Sequence, residues 1–564
     1  MRPKSIDYCS PDERGQAAVF VVMALGVFLL AGVAFAVDIA NLWFHRQTSQ
    51  NAADAACAAG AMDLLLAAQG ASTGNQGFTI GTPFDCATKA TAAPCVYAAL
   101  NGYNGTNSIP GNQVQVSFPA SDPNVASSTP PLPPTAMTNY PLIRVDVTDH
   151  VQTFFSALVS GNRSQDVRAF AVCGSLLVQG STPVLVLDPS SSGALSLQGN
   201  SSISIYGGPS KGVQVNSSSL QGVNIGGNGA LNLSQGGPNL TGSSIGVYGG
   251  PASAPGGISF GTTGSWSYPS SVVSDPFALV CAPGQTGCPK INGYSAPAVP
   301  GAPQIPSDLA AKGCKSIPCA LSYHDAVHGC PRSSGCKLYT SGYYGSKISI
   351  SNTAAIFDPG LYYIVGGLAL NSGSTVRPGT GTGDGSGGTT FYFSGASSVT
   401  VASNSGSATL DPFYASSLSC SAGSILPGNL TPTTALQGNF LMAPCTGYYG
   451  DPLGAADTLA ERGILFFQDR SASGVNATWG GGGKFMTAGA MYFHHCNAAG
   501  TGVACGSPPT YYDATFSVGG NSCAGAYAVG NLIVDRLTLS GTACVTMDLN
   551  PNSAYSTLKA TMVR

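Results

Sequence analysis

The most apolar stretch of the chain lies near its start, where no charged residue occurs between Gln16 and Val37. The core of this stretch, AAVFVVMALGVFLLAGVAFAV, contains 21 residues. A helix of that length spans about 31 Å, which is the thickness of the hydrocarbon core of a bilayer. The pattern therefore predicts a transmembrane helix, with residues 1–15 in front of it.

Basic residues are unevenly placed around this segment. Arg2, Lys4 and Arg14 precede it, whereas the nearest Lys or Arg after it is Arg46. Because positively charged flanks stay in the cytoplasm, we expect a cytoplasmic N-terminus and a periplasmic or cell-surface location for the bulk of the chain. A cleaved signal peptide is the alternative, since Ala34-Phe35-Ala36 resembles a cleavage site. The length of the run and the unbroken helical pattern after it favour an uncleaved anchor.

The helical pattern continues to residue 69 in an alanine-rich extension. Its first part, Trp43-Phe44-His45-Arg46, places aromatic and cationic side chains where the headgroup layer would lie. Residues 51–61 are mostly alanine, which favours a helix and lets a neighbouring element approach closely. Two interpretations remain open for this small-residue face: bundling with other anchored helices, or packing against the protein's own β domain.

Alternation of apolar and polar residues predicts β-strands in the remainder of the chain. In residues 70–182, Val114-Gln115-Val116 and Ile143-Arg144-Val145-Asp146-Val147 have the period of two that half-buried strands show. We expect an anchor-proximal β-rich domain there.

From residue 183 the alternating runs become shorter, and glycine or asparagine soon follows each one. ISIYGGP at Ile203 returns as IGVYGGP at Ile245, and GALSL at Gly193 returns as GALNL at Gly229. Strands this short bury a face only when they are stacked, and glycine supplies the positive φ values of tight corners. We therefore expect a right-handed parallel β-helix (a β-solenoid), with a β-sandwich array as the alternative.

The expected solenoid has two parts, residues 183–275 and residues 346–564, and the second part includes a C-terminal cap. Residues 276–345 are rich in cysteine and proline, and we interpret them as an insertion.

Composition narrows the fold class to mainly β. Only 8% of the 564 residues are charged, and glutamate occurs only at Glu13 and Glu461. Helices of soluble proteins use Glu and Lys on their wet faces, so a mostly helical fold is excluded. A net charge of −3 also leaves no electrostatic footprint for nucleic acid.

Three features of the N-terminal segment occur together: Arg14-Gly15-Gln16, a helix that ends in Ala36-Val37-Asp38, and Gln50-Asn51-Ala52-Ala53-Asp54-Ala55-Ala56. This combination resembles the TadE/TadG-like Flp pilus-assembly proteins. The resemblance implies a bacterial inner-membrane protein linked to tight-adherence (Flp) pili. Phe20 stands five residues after Gly15, where the processed pilins of this machinery carry glutamate. The chain therefore resembles the large, unprocessed TadG-like members. The candidate transmembrane and assembly positions are Gln16, Gly26, Val37, Asp38, Asn51, Asp54 and Gly60.

Cysteine is abundant, with 17 residues, and an oxidising envelope favours disulfides. The close pairs are the candidate disulfides: Cys86/Cys95, Cys281/Cys288, Cys314/Cys319, Cys330/Cys336 and Cys496/Cys505. The wider pairs Cys420/Cys445 and Cys523/Cys544 would leave Cys173 without a partner, while Cys57 lies in the alanine-rich helix. A structural metal site is the alternative, at His324 and His328 or at His494-His495-Cys496.

Two further patterns bear on chemistry. Asp188-Pro189-Ser190-Ser191-Ser192 is similar to the D-x-S-x-S cation motif of von Willebrand A domains. The residues after it have a β pattern rather than the helix that the motif needs, which favours a simple turn. The acid–base candidates for an enzyme are Asp469, Arg470, Asp513, Asp535 and Arg536, and solvated loop charges are the simpler interpretation. We therefore expect no catalytic residue, metal or cofactor.

Together these patterns predict a membrane-anchored envelope protein that serves as a structural or adhesive scaffold in Flp pilus assembly and is not an enzyme. The expected partners are the membrane, other Flp pilus-assembly components, and envelope or host glycans, but not nucleic acid. The alternative is a surface-exposed β-helix that binds or cleaves polysaccharide.

Overall fold

The computed structural model describes residues 12–68, 77–105, 111–122, 132, 138–157, 161–179, 182–278, 280–286, 296–379, 388–406, 419–420, 423–424, 438–444, 463–496, 511–520, 526–549 and 556–563. The protein is mainly β with one long N-terminal helix, as predicted.

Helix α1, Asp12–Ala68, has 57 residues and two unlike halves. Almost all side chains of residues 17–37 are exposed, whereas the alanine-rich half is buried on one face. Among the described residues, α1 is the one helix long and apolar enough to cross a membrane, and its most apolar window is wholly uncovered. The first half is therefore a candidate membrane anchor.

The second half of α1 packs on a five-stranded antiparallel sheet. In spatial order its strands are β1 (Phe84–Asp85), β2 (Asn112–Ser117), β3 (Leu142–Gln152), β4 (Ser164–Gln179) and the last strand of the chain, β36 (Ser556–Met562). A short helix, α2 (Ala93–Leu100), packs beside α1. The inward residues of β2 and β3, among them Val116 and Val145, alternate with more exposed ones, as the sequence predicts. We call the docked half of α1, α2 and this sheet the anchor module.

Strand β36, at the C-terminal end of the chain, belongs to the sheet that packs on the N-terminal helix. It pairs antiparallel with β4, from Ser556 opposite Gln179 to Met562 opposite Cys173. The predicted C-terminal cap of the solenoid is therefore corrected: this segment is the fifth strand of the anchor module. Everything between β4 and β36 is an insertion into that module.

In its described residues, the inserted body is built from short strands and one short helix. They are β5 (Val184–Val186), β6 (Leu195–Leu197), β7 (Ser202–Gly207), β8 (Lys211–Val215), β9 (Val223–Ile225), β10 (Ala230–Gly236), β11 (Ser244–Val247), β12 (Ile258–Ser259), β13 (Trp266–Ser267), α3 (Ser307–Ala311), β14 (Cys319–Leu321), β15 (Cys336–Tyr339), β16 (Gly342–Tyr344), β17 (Ile348–Ile350), β18 (Ala354–Phe357), β19 (Gly360–Ile364), β20 (Leu368–Leu370), β21 (Thr375–Pro378), β22 (Thr389–Phe393), β23 (Val399–Val401), β24 (Ser419–Cys420), β25 (Gly423–Ser424), β26 (Asn439–Met442), β27 (Ile464–Gln468), β28 (Asn476–Gly480), β29 (Phe485–Ala488), β30 (Ala490–Phe493), β31 (Thr515–Gly520), β32 (Ala526–Val529), β33 (Leu532–Val534), β34 (Arg536–Gly541) and β35 (Cys544–Asp548).

Most of these strands form three parallel sheets of ten, eight and seven strands. Successive strands visit the sheets in turn: β5, β6 and β7 lie in the ten-, eight- and seven-stranded sheets, and β8, β9 and β10 repeat that order alongside them. The same rotation recurs from β27 to β35. The predicted parallel pairing of short strands is confirmed.

The chain enters this parallel-sheet body in its middle. Strands β5, β6 and β7 pair on one side with β8, β9 and β10, and on the other side with β33, β34 and β35. We call the junction between β5–β7 and β33–β35 the seam. The first part of the body extends from the seam to β13. The second part starts at the opposite end, at β16, and returns to the seam. Both connections to the anchor module leave from the seam.

The segment between β13 and β16 links the two ends of the body. Phe277 and Val280 pack on one face of the ten-stranded sheet, against Phe467 and Tyr492. Strand β15 then pairs with β18, and β16 pairs with β19, both in parallel. Residues 276–345, which we interpreted as an insertion, therefore contribute strands to the stack.

One large core is shared by strands of all three sheets. It is aliphatic in the first part, as at Val213 and Leu231, and aromatic in the second part, as at Tyr362, Phe391 and Phe466. Strands of the ten-stranded sheet such as β5, β22 and β27 are buried on both sides, which leaves few positions for charged side chains in that sheet.

A column of glycines forms one corner of the body. Gly541, Gly199 and Gly227 lie in neighbouring turns of the chain with φ of 74°, 76° and 66°. A Cβ atom on Gly199 would lie 2.8 Å from the carbonyl oxygen of Gly541. Glycine is required there both for the backbone conformation and for the close stacking of one turn on the next.

Several cysteines are paired. The structure forms the predicted pairs Cys86–Cys95, Cys314–Cys319 and Cys330–Cys336. It also joins Cys57 of α1 to Cys173 of β4, two residues that our pairing by proximity left apart. Cys281, Cys496 and Cys544 are disulfide-bonded as well. Their predicted partners Cys288, Cys505 and Cys523, like Cys445, lie outside the described residues.

Candidate functional site: the docked half of the anchor helix

One face of α1 is fixed to the anchor module by small buried residues. The buried positions recur every three or four residues, which is the spacing of a single helix face. They are Asp38, Ser49, Ala52, Ala53, Ala56, Cys57, Gly60, Ala61 and Leu64. The Cys57–Cys173 disulfide, with 5.6 Å between the two Cα atoms, bonds this face covalently to β4.

Gly60 shows how closely the helix approaches the sheet. A Cβ atom at this position would lie 2.4 Å from Cδ1 of Ile143 and 3.1 Å from Cγ of Pro94. Of the two interpretations of the small-residue face, the structure therefore supports packing on the protein's own β domain. The alternative, a free stripe for bundling with other helices, is corrected because the face is already covered.

Asp38 joins the end of the exposed half to the sheet. Its carboxylate accepts three backbone N–H bonds, from Phe154 at 3.0 Å, Phe155 at 2.9 Å and Ser156 at 2.6 Å. A carboxylate that accepts several N–H bonds is held in its charged form and fixes the loop that donates them. Asp38 therefore sets the position of the loop between β3 and β4 relative to the helix.

A polar cluster lies further along the same face. His45 Nδ1 is 2.8 Å from Asp149 Oδ2, and the hydroxyl of Tyr103 donates to the same oxygen at 3.0 Å. The hydroxyls of Thr48 and Ser49 lie 2.8 and 3.1 Å from the Tyr103 oxygen. Partial burial raises the pKa of Tyr103, so this phenol remains a neutral donor. The cluster satisfies polar groups that the docking of the helix removes from water.

Of the other candidate positions on α1, none of those described is fully buried. Val37 and Asn51 are exposed, and a Cβ atom on Gly26 would have no atom within 4 Å. Asp54 accepts a hydrogen bond from Gln50 Nε2 at 2.7 Å. Gln16 is helical, but its side chain lies outside the described residues.

Two of the acid–base candidates of the body, Asp513 and Asp535, lie beside the adjacent histidines His494 and His495. Asp535 is buried, accepts backbone N–H bonds from His495 and Ala514, and lies 2.5 Å from His494 Nδ1. Burial raises the pKa of Asp535, although His494 and these N–H groups oppose the shift. Asp513 lies 2.7 Å from His495 Nδ1. Each of these groups is engaged by a neighbouring group of the protein.

Arg470 and Asp469 are also held by the protein. Arg470 Nε donates to the hydroxyl of Tyr492 at 2.6 Å, and its guanidinium also donates to the carbonyl of Phe277. The Tyr492 hydroxyl donates to Asp275 at 2.7 Å. Asp469 accepts the N–H and the hydroxyl of Ser471. The bonds of Arg470 and Tyr492 hold the connecting segment that includes Asp275 and Phe277 against the ten-stranded sheet.

Asp188 lies in a turn that both of its oxygens support. Oδ1 accepts backbone N–H bonds from Ser190 and Ser191 at 2.9 and 2.8 Å, and Oδ2 accepts a bond from Arg536 Nε at 2.7 Å. An arginine therefore provides the positive charge beside this carboxylate. The geometry agrees with the turn that we favoured over a cation motif.

The His324 and His328 region is arranged around carboxylates. His328 Nδ1 lies 3.2 Å from Asp358, and Asp325 accepts the backbone N–H of His328 at 3.0 Å. Within the described ranges, no group of three or more His, Cys, Asp or Glu side chains is placed to hold a metal ion.

Sequence reasoning missed three parts of these sites: the Cys57–Cys173 bond, the loop held by Asp38, and the Asp275–Tyr492–Arg470 chain. Only the first had a signal in the sequence. Once the close pairs and the two wider pairs were assigned, Cys57 and Cys173 were the cysteines left over beyond residue 10.

The fold and this site define a β protein with an exposed apolar helix, a candidate membrane anchor, docked on an antiparallel sheet that carries a large parallel-sheet body. Residues 15–63 match the family model of putative Flp pilus-assembly TadE/G-like proteins. This match confirms the resemblance stated from the sequence and covers the N-terminal helix, so the chain carries a TadE/G-like segment.

No curated protein matches the chain. Among solved structures, the competence-associated pilin ComZ from Thermus thermophilus is similar over 80% of this chain and 83% of its own, with 9% identity and a TM-score of 0.22. That similarity is too low to carry an argument.

Proposed function

We propose that the protein is a component of Flp-type pilus assembly, held in the bacterial inner membrane by residues 17–37 of α1. Its N-terminus is cytoplasmic, and its anchor module and body are periplasmic or at the cell surface. One observation carries the proposal: the segment that matches the pilus-assembly family is the helix whose first half is exposed and whose second half is docked. That division fits an anchor that holds a folded body next to a membrane.

The body acts as a scaffold in this proposal. The three sheets close into a right-handed parallel β-helix, which the rotation of successive strands among the sheets supports. Such a stack is stiff because each turn of the chain is buried against its neighbours. Its surface would serve adhesion or contact with other pilus components.

Partner helices would meet the anchor at its exposed half, since the alanine-rich face is covered. Gly26 and Gly32 have no atom within 4 Å of where a side chain would begin, so another helix has room to approach there. The acid–base candidates of the body are engaged by protein groups, which supports a structural rather than a catalytic role.

Fractionation combined with protease shaving tests the anchor and its sidedness. The full chain should sediment with inner membranes, and protease should degrade the body in spheroplasts but spare residues 1–15. Recovery of the chain in the cytosol with reduced cysteines would reject the proposal.

A matched pair of helix variants tests the partner surface. Gly26→Leu with Gly32→Leu should reduce co-purification of pilus-assembly components from membranes, because leucine fills the space where a helix would approach. Val22→Leu with Val33→Leu changes two exposed positions in the same half of the helix and should leave co-purification unchanged. Equal co-purification of pilus-assembly components with both pairs of variants would show that Gly26 and Gly32 are not part of the partner surface.

Polysaccharide binding is the second candidate function. A row of rings follows the ten-stranded sheet, with Tyr343 and Tyr363 at 5.4 Å and Tyr363 and Tyr392 at 4.9 Å between centroids. Tyr343, in the edge strand β16, is 42% exposed, and exposed aromatic rings offer an apolar surface with a polar tip to a sugar. Loss of binding to envelope polysaccharide in Tyr343→Ala, but not in Tyr248→Ala, would support this candidate.

A further inference from the structure

Two large aromatic side chains are exposed beside the end of the apolar run. Phe154 and Phe155, in the loop between β3 and β4, are 64% and 44% exposed. A pair of adjacent exposed phenylalanines costs solubility in a water-facing loop and usually marks a contact surface. Neither ring takes part in the core of the anchor module.

Hydrogen bonds fix the position of the backbone of Phe154 and Phe155 along the helix. Their own backbone N–H groups donate to Asp38, which directly follows Val37, the last residue of the apolar run. Trp43, an exposed aromatic residue on α1, lies about 8 Å further from the run at the rise of a helix. The backbone of the two phenylalanines therefore lies at the level of Asp38, where the apolar run ends and before the level of Trp43.

The neighbouring groups fit a lipid surface. Val37 and Ile39 of α1 are about half exposed, so apolar surface continues around the helix at this level. On the loop side, Thr153 donates its N–H to the carbonyl of Arg163 at 3.0 Å, and the side chain of Arg163 is exposed. Aromatic rings next to a cationic side chain are typical of the membrane–water interface, where rings sit at the headgroup level and cations meet phosphates.

We propose that the loop of Phe154 and Phe155 is a second membrane contact, with both rings inserted into the outer interface of the bilayer that holds α1. This inference rests on the proposed membrane anchor. Two attachment points instead of one would restrict the tilt of the anchor module, because Asp38 couples the inserted loop to the helix. The helix alone would leave the module free to pivot about the end of the span.

Depth-dependent fluorescence quenching tests the insertion. The full-length chain with Trp43→Phe is reconstituted into phosphatidylcholine–phosphatidylglycerol vesicles, with or without bromine on the acyl chains. One tryptophan is then added in turn as Phe154→Trp, as Phe28→Trp within the span, or as Leu220→Trp in the body. The last two positions are each 75% exposed, so the three additions are comparable, and the Trp43→Phe chain gives the background of Trp266 and Trp479.

We expect brominated lipid to quench the fluorescence of the tryptophan added at position 28 or 154. We expect no quenching of the tryptophan added at position 220. Quenching at position 28 alone would overturn the loop contact and leave the anchor intact. Absence of quenching at both 28 and 154 would reject the anchor itself. Quenching at all three positions would show that the body lies on the membrane, which also overturns a specific contact by the loop.

Photocrosslinking identifies the occupant. With p-benzoylphenylalanine in place of Phe154, the reconstituted chain should crosslink to lipid. A crosslink to a second copy of the chain instead would assign the two rings to a protein interface and overturn the proposal.

Discussion

The anchor module and the parallel-sheet body bury their apolar residues in different ways. Strands β3 and β4 of the module have 11 and 16 residues, and their sheet depends on α1 to cover it. The strands of the body mostly have three to six residues, and their three sheets cover one another. The module is therefore held by a few contacts between distant parts of the chain, whereas the body is held by repeated contacts between neighbouring turns. Loss of one contact should affect the whole module but only part of the body.

Removal of strand β36 should have the largest effect. A chain that stops after residue 555 lacks β36, so β4 loses its hydrogen bonds on that side and keeps β3 on the other. Each lost backbone hydrogen bond costs about 1 kcal/mol. We expect the amides of β4 and of the docked half of α1 to lose protection from hydrogen exchange, while those of β27 to β31 keep it. Deletion of residue 564 alone is the control. Equal loss of protection in module and body would show that the two are one cooperative unit.

The Cys57–Cys173 bond should come next. Its two cysteines are 116 residues apart, and closure of a loop that long stabilises by about 4 to 5 kcal/mol in the chain-entropy model. The double substitution Cys57→Ser and Cys173→Ser should lower the thermal midpoint of the module in detergent.

The Cys314–Cys319 pair is the matched control for this disulfide. It closes a separation of only five residues, so its double serine variant should cost about 3 kcal/mol less. A larger loss from the short loop would contradict the view that distant contacts hold the module.

Trp479 tests the repeated contacts of the body. It is buried between Phe485 and Phe516, with ring centroids at 4.8 Å from each. Trp479→Ala should cost about 3 to 5 kcal/mol, and hydrogen exchange should increase in β28, β29 and β31 but not in β3 or β4. The half-buried Trp266, near the other end of the body, is the control, since Trp266→Ala leaves a smaller cavity.

Asp38→Ala should have a smaller and more local effect. The N–H groups of Phe154, Phe155 and Ser156 lose their acceptor, so their exchange should become faster while the sheet of the module stays protected. Asp38→Asn keeps one acceptor oxygen and should fall between the wild type and the alanine variant. Unchanged exchange of these three amides would show that the loop is positioned by other contacts.

The smallest effect should be that of pH on Asp535. Its pKa is raised by burial, so the folded state binds this proton more tightly than the unfolded state does. This group therefore favours folding below the ordinary aspartate pKa of about 3.9, and that contribution is lost as pH rises through the folded-state value. Relative to Asp535→Asn, the wild-type body should gain stability as pH falls from 8 toward 4. A difference between the two proteins that does not change with pH would contradict this.

Particular residues show how far the sequence could predict the fold and the site. Local patterns predicted several elements. The uncharged run predicted the N-terminal helix, and the alternation at Val145 and Val147 predicted a half-buried strand. The short runs that end at glycine predicted stacked strands, because helices and strands have different side-chain periods. The close cysteine pairs are local too. Gly60 gave no such signal, since a glycine in an alanine-rich helix looks the same whether a foreign helix or the protein's own Ile143 lies beside it.

The sequence by itself determined the candidate anchor, the mainly β class, the parallel pairing of short strands and the family that the N-terminal segment resembles. Only the tertiary structure decided that β36 returns to β4, that Cys57 meets Cys173, that the second part of the body returns to the seam, and that Asp38 holds the backbone of Phe154 and Phe155 at the end of the apolar run. The physical reason is that periodicity specifies which side of an element avoids water. It does not specify which of many equally apolar partners covers that side, and that choice depends on packing between residues more than a hundred positions apart.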